Sequence, residues 1–114
     1  MTLGEIVKSL GLIVRCGDDE QMERTVEGGY VSDLLSDVIA GSREGDLWIT
    51  LQIHQNIVAV AVLNNLAGIL IVGGRDPDTE TMKKAQEQGV PIMVTKTTAY
   101  EVAGRLYEMG LRRA

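Results

Sequence analysis

One histidine stands in this chain, within Leu51-Gln52-Ile53-His54-Gln55-Asn56, where an apolar run gives way to polar residues. A neutral imidazole donates at one ring nitrogen and accepts at the other near neutral pH. His54 therefore has the chemistry for proton transfer or for gripping a polar ligand, and Asn56 adds an amide two residues on. A catalytic histidine also needs a nucleophile or a carboxylate partner, and no spacing in the sequence supplies one. The competing role is structural, with His54 or Asn56 capping a helix that starts nearby. A second group is Gly73-Gly74-Arg75-Asp76. Backbone N–H groups of such a turn can cradle an anion, with Arg75 as the counter-charge. Against that, Asp76, Asp78 and Glu80 already occupy the positive end of the following helix and would repel phosphate. The alternative is a turn in which Gly74 takes a positive φ, Asp76 or Asp78 caps the helix and Pro77 is its first residue.

Three further groups complete the inventory. Thr95-Lys96-Thr97-Thr98 offers hydroxyls and an ammonium suited to a carboxylate or phosphate, although Thr98 is also placed to cap the final helix. Asp18-Asp19-Glu20 are adjacent acids on a polar stretch, read as solvated rather than metal-binding. Cys16 is the sole cysteine, so it can form no intramolecular disulfide, and its apolar surroundings suggest inert burial. The glycine turn is not GxGxxG, and the chain has no GxxxxGK[ST] phosphate loop.

The elements that must position these residues follow from hydrophobic period and from stop signals. Thr2-Leu3-Gly4-Glu5 has the form of a capping box, opening a helix with Ile6, Val7 and Leu10 on one face and Gly11 as its end. Leu12–Val14 reads as a buried strand, and residues 18–29 as a polar connection with room for a short strand near Thr25-Val26. Ser32-Asp33 opens a helix bearing Leu34, Leu35, Val38 and Ile39. Leu47–Leu51 is a strand. Residues 55–66 form a helix with Ile57, Val58, Ala61 and Val62 inward and almost no polar face. Ile69–Val72 is a buried strand. Pro77–Gln88 is an amphipathic helix with Met82 and Ala85 inward, ended by Gly89. Pro91–Val94 is a strand, and the last helix turns Val102, Ala103, Leu106 and Tyr107 to the core. Alternating strands and helices predict an α/β fold: a three-layer α/β/α sandwich with a mostly parallel sheet.

A chain of 114 residues is expected to form a single domain spanning 1–114, with an aliphatic core since Phe is absent and Trp occurs once. The formal net charge of −5 argues against binding to nucleic acid, where phosphate neutralisation dominates affinity. The longest weakly polar stretch, 57–72, is too short and too divided to span a membrane. No secretory signal is visible, and a cytoplasmic location is expected.

Tyr30-Val31-Ser32-Asp33-Leu34-Leu35-Ser36-Asp37-Val38, Ile69-Leu70-Ile71-Val72-Gly73-Gly74, and Gln88-Gly89-Val90-Pro91-Ile92-Met93-Val94-Thr95 with Thr98-Ala99-Tyr100-Glu101 together resemble the DRTGG domain family over residues 28–111. Such domains are similar to the N-terminal domain of HPr kinase/phosphorylase. They occur in some phosphotransacetylases, and beside cystathionine-β-synthase-type domains in some pyrophosphatases. The resemblance implies a regulatory or structural role, often at a dimer interface. The chain keeps the double glycine but reads Leu51-Gln52-Ile53-His54-Gln55-Asn56 where the family's Asp-Arg pair usually sits, which resembles a stand-alone branch with a polar site of different chemistry.

The expectation is a non-enzymatic regulatory or assembly module, a homodimer, with a small anionic metabolite or nucleotide as candidate ligand near His54, Asn56, Gly73, Gly74, Arg75 and Thr95. The alternatives are a small transferase or hydrolase using His54 as acid–base, or a purely structural subunit of a larger complex. No catalytic set, metal site or particular cofactor is indicated.

Overall fold

A computed structural model describes residues 1–113. In chain order its elements are α1 (Leu3–Leu10), β1 (Ile13–Cys16), α2 (Asp19–Met22), β2 (Gly28–Val31), α3 (Leu35–Gly41), β3 (Asp46–Thr50), α4 (Asn56–Leu63), β4 (Gly68–Ile71), α5 (Thr79–Gln88), β5 (Ile92–Val94) and α6 (Ala99–Glu108). The five strands form one sheet in the order β1-β5-β4-β3-β2. β2, β3, β4 and β5 run parallel, and β1 closes one edge antiparallel to β5.

The sheet steps from β2 to β5 one neighbour at a time, and the three helices that make those steps lie on one face. There Val38 of α3, Ile57, Val58, Val60 and Ala61 of α4, and Ala85 of α5 pack on Trp48, Ile69, Ile71, Ile92 and Val94. On the other face Leu3 and Ile6 of α1 and Val102 and Leu106 of α6 pack on Leu47, Ile49, Leu70, Val72 and Met93. β3 and β4 are covered on both faces and buried throughout. Two-sided cover is why they read as continuous apolar runs instead of alternating ones. Trp48 is fully buried, and its indole N–H donates to the Ser32 carbonyl at 2.8 Å.

Several expectations are corrected. β1 is an exposed edge strand, not a buried one: Ile13 and Val14 are 51% and 37% exposed, and only Leu12, just before the strand, is buried. Two elements arise in, or across the end of, the expected polar connection, and the strand lies at Gly28–Val31 instead of near Thr25-Val26, where Thr25 makes only an isolated bridge with Thr2. Asp18 and Gln21 form a reciprocal capping box that starts α2, and Gly28–Val31 pairs with β3 as β2. Ser32-Asp33 does not open α3, which starts at Leu35; Leu34 and Ile39 point outward. On α4, Val60 is buried and Val62 exposed, the reverse of the periodic reading. Such a reading has little to work with, because nearly every residue of α4 is apolar. Tyr107 of α6 faces solvent, where Arg112 lies over its ring at 4.4 Å. The first and last helices are capped by the expected threonines without the reciprocal glutamate arm of a capping box: Thr2 Oγ1 accepts from the Glu5 N–H at 3.1 Å, and Thr98 Oγ1 from the Glu101 N–H at 3.4 Å.

Candidate functional site

The carboxyl ends of the parallel strands lie together at one end of the sheet, and the turns after them hold most of the residues singled out above. After β4 the chain takes φ of 73° at Gly73 and 78° at Gly74. Two successive left-handed residues are costly for any side chain with a Cβ, which explains the glycine pair. Their N–H groups are already engaged: Gly73 donates to the Thr97 carbonyl and Gly74 to the Thr95 carbonyl, each at 3.0 Å. The turn is therefore stapled to the β5–α6 loop and forms no open anion cradle. Thr95 Oγ1 accepts from the Thr97 N–H at 3.2 Å and holds that loop in shape.

These two turns part company. The chain after β4 passes to α5 on one face, and the chain after β5 passes to α6 on the other. In open α/β sheets such a divergence leaves a crevice between adjacent strand ends. A cleft of about 80 Å³ occurs here, lined by Gly74, Arg75, Asp76, Thr95 and Lys96, with Ile13, Val94 and Arg15 of the neighbouring strands. Its size suits one phosphate or carboxylate group better than a whole nucleoside. Arg15, Arg75, Lys96 and Asp76 are among its lining residues, although most of the wall itself is apolar. Arg75 Nη1 donates to the Leu51 carbonyl at 2.8 Å, which ties the guanidinium to the end of β3. Arg15 Nε pairs with Asp76 Oδ1 at 2.8 Å, both side chains well exposed.

Gly74, Arg75 and Thr95 thus come together, with Gly73 directly behind them in the chain. His54 and Asn56 do not line the cleft. His54 is 71% exposed, and its Nδ1 lies 3.0 Å from Asp78 Oδ2. Asp78 is the carboxylate partner the sequence did not reveal; 24 residues separate the two. Neither His54 nor Asn56 caps α4, whose N-cap residue is Gln55 with no side-chain cap bond. On α5, Asp78 holds the N-cap position, but its side chain serves His54 and Pro77 stands ahead of the helix. The rest of the β3–α4 turn is fastened down. The Ile53 carbonyl accepts from the Asp78 N–H at 3.1 Å and from Thr81 Oγ1 at 2.7 Å. Asp33 Oδ1 accepts from Thr50 Oγ1 at 2.8 Å and the Leu51 N–H at 2.7 Å.

Two cationic cleft residues escaped the sequence reading as site members. Lys96 was visible beside Thr95 as an anion-binding type. Arg15 was not, because it reaches the cleft only through the antiparallel placement of β1 beside β5. Cys16, next to it, is half-buried, and burial, with the Asp18 charge as a smaller cause, pushes its thiol above the ordinary value of 9.0. Among the described residues no helix is long and apolar enough to cross a membrane.

The sequence pattern of the DRTGG domain matches residues 5–109. Among solved structures, the fold is similar to that of the CBS and DRTGG domains of the regulatory region of Clostridium perfringens pyrophosphatase, complexed with its activator diadenosine tetraphosphate. The TM-score is 0.73 at 16% identity, over 90% of this chain and 44% of that one. This chain thus spans less than half the length of that relative, and the likeness between them is one of fold. Curated proteins yield no match.

Proposed function

This chain belongs to the DRTGG domain family, and we propose that it is a cytoplasmic, non-enzymatic regulatory module that binds a small anionic ligand, such as a phosphorylated metabolite or nucleotide. The observation that carries this reading is the cleft beside the β4–α5 and β5–α6 turns, whose lining residues include Arg15, Arg75 and Lys96 and one carboxylate, Asp76. Arg75 and Lys96 supply charge-assisted donors, the Thr95 hydroxyl supplies a neutral one, and Gly74 leaves the wall open because nothing lies within 4 Å of the Cβ it lacks. The bound nucleotide of the Clostridium perfringens regulatory region makes nucleotides the first compounds to test. A ligand that binds only the folded state raises the melting temperature. A thermal-shift panel of inorganic phosphate, nucleotides and acyl phosphates is expected to show such a rise. Arg75→Ala is expected to abolish it. A panel without any shift, or a shift indifferent to Arg75, would refute the reading.

The module acts as a homodimer. The outer surface of α4 supports this: Val62 and Leu63 are 47% and 67% exposed and, with Val58 and Ala59, line an apolar groove beside α5. Sedimentation at micromolar concentration is expected to give about twice the 12.4 kDa chain mass, and Leu63→Glu to give the monomer. A monomeric parent would sink the dimer.

One observation favours the enzymatic alternative. Asp78 orients the His54 ring and leaves Nε2 turned elsewhere, an arrangement suited to acid–base work. The ring is largely solvent-exposed and lies outside the cleft, so the regulatory reading accounts for more of the geometry.

A further inference from the structure

Next to the small cleft lies a larger concavity of about 560 Å³ between the β1–α2 turn and α5. Its walls include Cys16, Gly17, Gln21, Thr79 and Lys83, and Arg15 lines both spaces. Arg75 and Lys96 stand at one end, Arg15 at the join and Lys83 in the larger space. The carboxylates are Asp76, already paired with Arg15, and Asp18, which caps α2 by accepting from the Gln21 N–H at 2.8 Å. Four cations against two carboxylates is a reversal of sign in a chain of net charge −5.

We propose that the ligand of this trough carries two or more linked anionic groups, as a diphosphate or polyphosphate ester does, and extends from the Arg75–Lys96 cleft past Arg15 toward Lys83. This rests on the anion-binding reading of the small cleft and gives that ligand its chemical class. The cleft has room for a single anionic group. The larger space falls within the range of about 300–1,000 Å³ typical of small-molecule sites. One phosphate held at Arg75 and Lys96 leaves the Lys83 charge unused, whereas a chain of phosphates meets Arg15 and Lys83 in turn. Gln21 and Thr79 offer uncharged polar contacts for whatever the phosphates are attached to. Asp76 is a competitor for Arg15, so the ligand must displace it.

The test is calorimetric titration of the full chain with inorganic phosphate, pyrophosphate and tripolyphosphate at fixed ionic strength. Pyrophosphate is expected to bind about tenfold more tightly than phosphate, the gain of one further charge-assisted contact. Tripolyphosphate is expected to bind more tightly again, and Lys83→Gln, on an exposed face of α5, is expected to remove that further gain and leave phosphate binding unchanged. Asp76→Asn is expected to tighten all three. Cys16, the sole cysteine, gives a second readout: tripolyphosphate is expected to slow its alkylation, and phosphate is not. Equal affinities for the three anions, or a tripolyphosphate affinity indifferent to Lys83, would overturn the proposal and leave the single-anion cleft standing. Absence of phosphate binding, or phosphate binding indifferent to Arg75→Ala, would remove the cleft reading and this proposal with it.

Discussion

The β3–α4 and β4–α5 turns leave the same end of the same sheet and arrive at helices on the same face, yet they have opposite characters. In the first, polar groups are spent on the protein itself: Asp33 clamps Thr50 and Leu51, the Ile53 carbonyl takes two donors from the start of α5, and His54 pairs with Asp78. In the second, the glycine backbone is equally spent, bonded to the Thr95 and Thr97 carbonyls, and Arg75 and Arg15 are held by the Leu51 carbonyl and Asp76, yet with Lys96 they line a cleft. Connectivity accounts for the difference. The strands on either side of β3 also send their chains to its face, so neighbouring turns pack on one another. β5 sends its chain to the other face, and although two backbone hydrogen bonds staple its turn to that of β4, a cleft stays open beside Gly74 and Thr95 against Ile13 and Arg15 of β1.

The sharpest way to break this contrast is Asp33→Ala. It leaves the buried Thr50 hydroxyl and the Leu51 N–H without their acceptor, and stability is expected to fall by about 2 kcal/mol. Urea unfolding measures the loss, and phosphate binding by the folded mutant is expected to be unchanged. Reduced binding would mean that the two turns are not separate in function.

The reverse pattern is expected of the double variant Arg75→Ala, Lys96→Ala. Its anion affinity should drop by about 2 kcal/mol, the scale of lost charge-assisted bonds. Its urea midpoint should move far less than that of Asp33→Ala. A collapse in stability would show Arg75 to be a structural tie to Leu51 and nothing more. Gly74→Ala tests the turn's backbone: there is space for the methyl group, but the left-handed conformation should cost about 1–2 kcal/mol. His54→Ala removes an exposed pair and is expected to change stability by less than about 1 kcal/mol, with phosphate affinity unaltered in calorimetry. A smaller effect concerns pH. Because burial raises the Cys16 thiol, its alkylation rate is expected to reach half-maximum at a higher pH than that of a free cysteine measured alongside, and a midpoint below the free thiol's would contradict the half-buried placement.

Much of the fold was legible because its central strands are buried on both sides. Leu47–Leu51 and Ile69–Val72 are short apolar runs bounded by turn residues, too short for helices, although β3 itself ends at Thr50 and Leu51 is exposed. The edges were harder. Ile13-Val14 is as apolar as a core strand but lies in an edge strand with one partner, and nothing local distinguishes the two cases. Gly28-Gly29 weakens strand propensity, so β2 is defined by its pairing with β3 and not by its own residues. The capping box of Asp18 and Gln21 was a readable start signal for α2, missed because only four residues follow it. Of the site, Gly74, Arg75 and Thr95 could be found because they follow parallel strands that end at one level. Arg15 and the partnership of His54 with Asp78 depend on contacts across the fold, which residue spacing does not encode.

The central claim is that anions bind where the β4 and β5 turns diverge. Titrating phosphate into uniformly ¹⁵N-labelled protein and following the amide shifts tests it most directly. The account predicts saturable shifts concentrated at Gly74, Arg75, Asp76, Thr95, Lys96 and Arg15, with His54 and Asn56 nearly still. Saturable shifts centred on His54 and Asn56, or only weak non-saturating shifts spread over the surface, would contradict it.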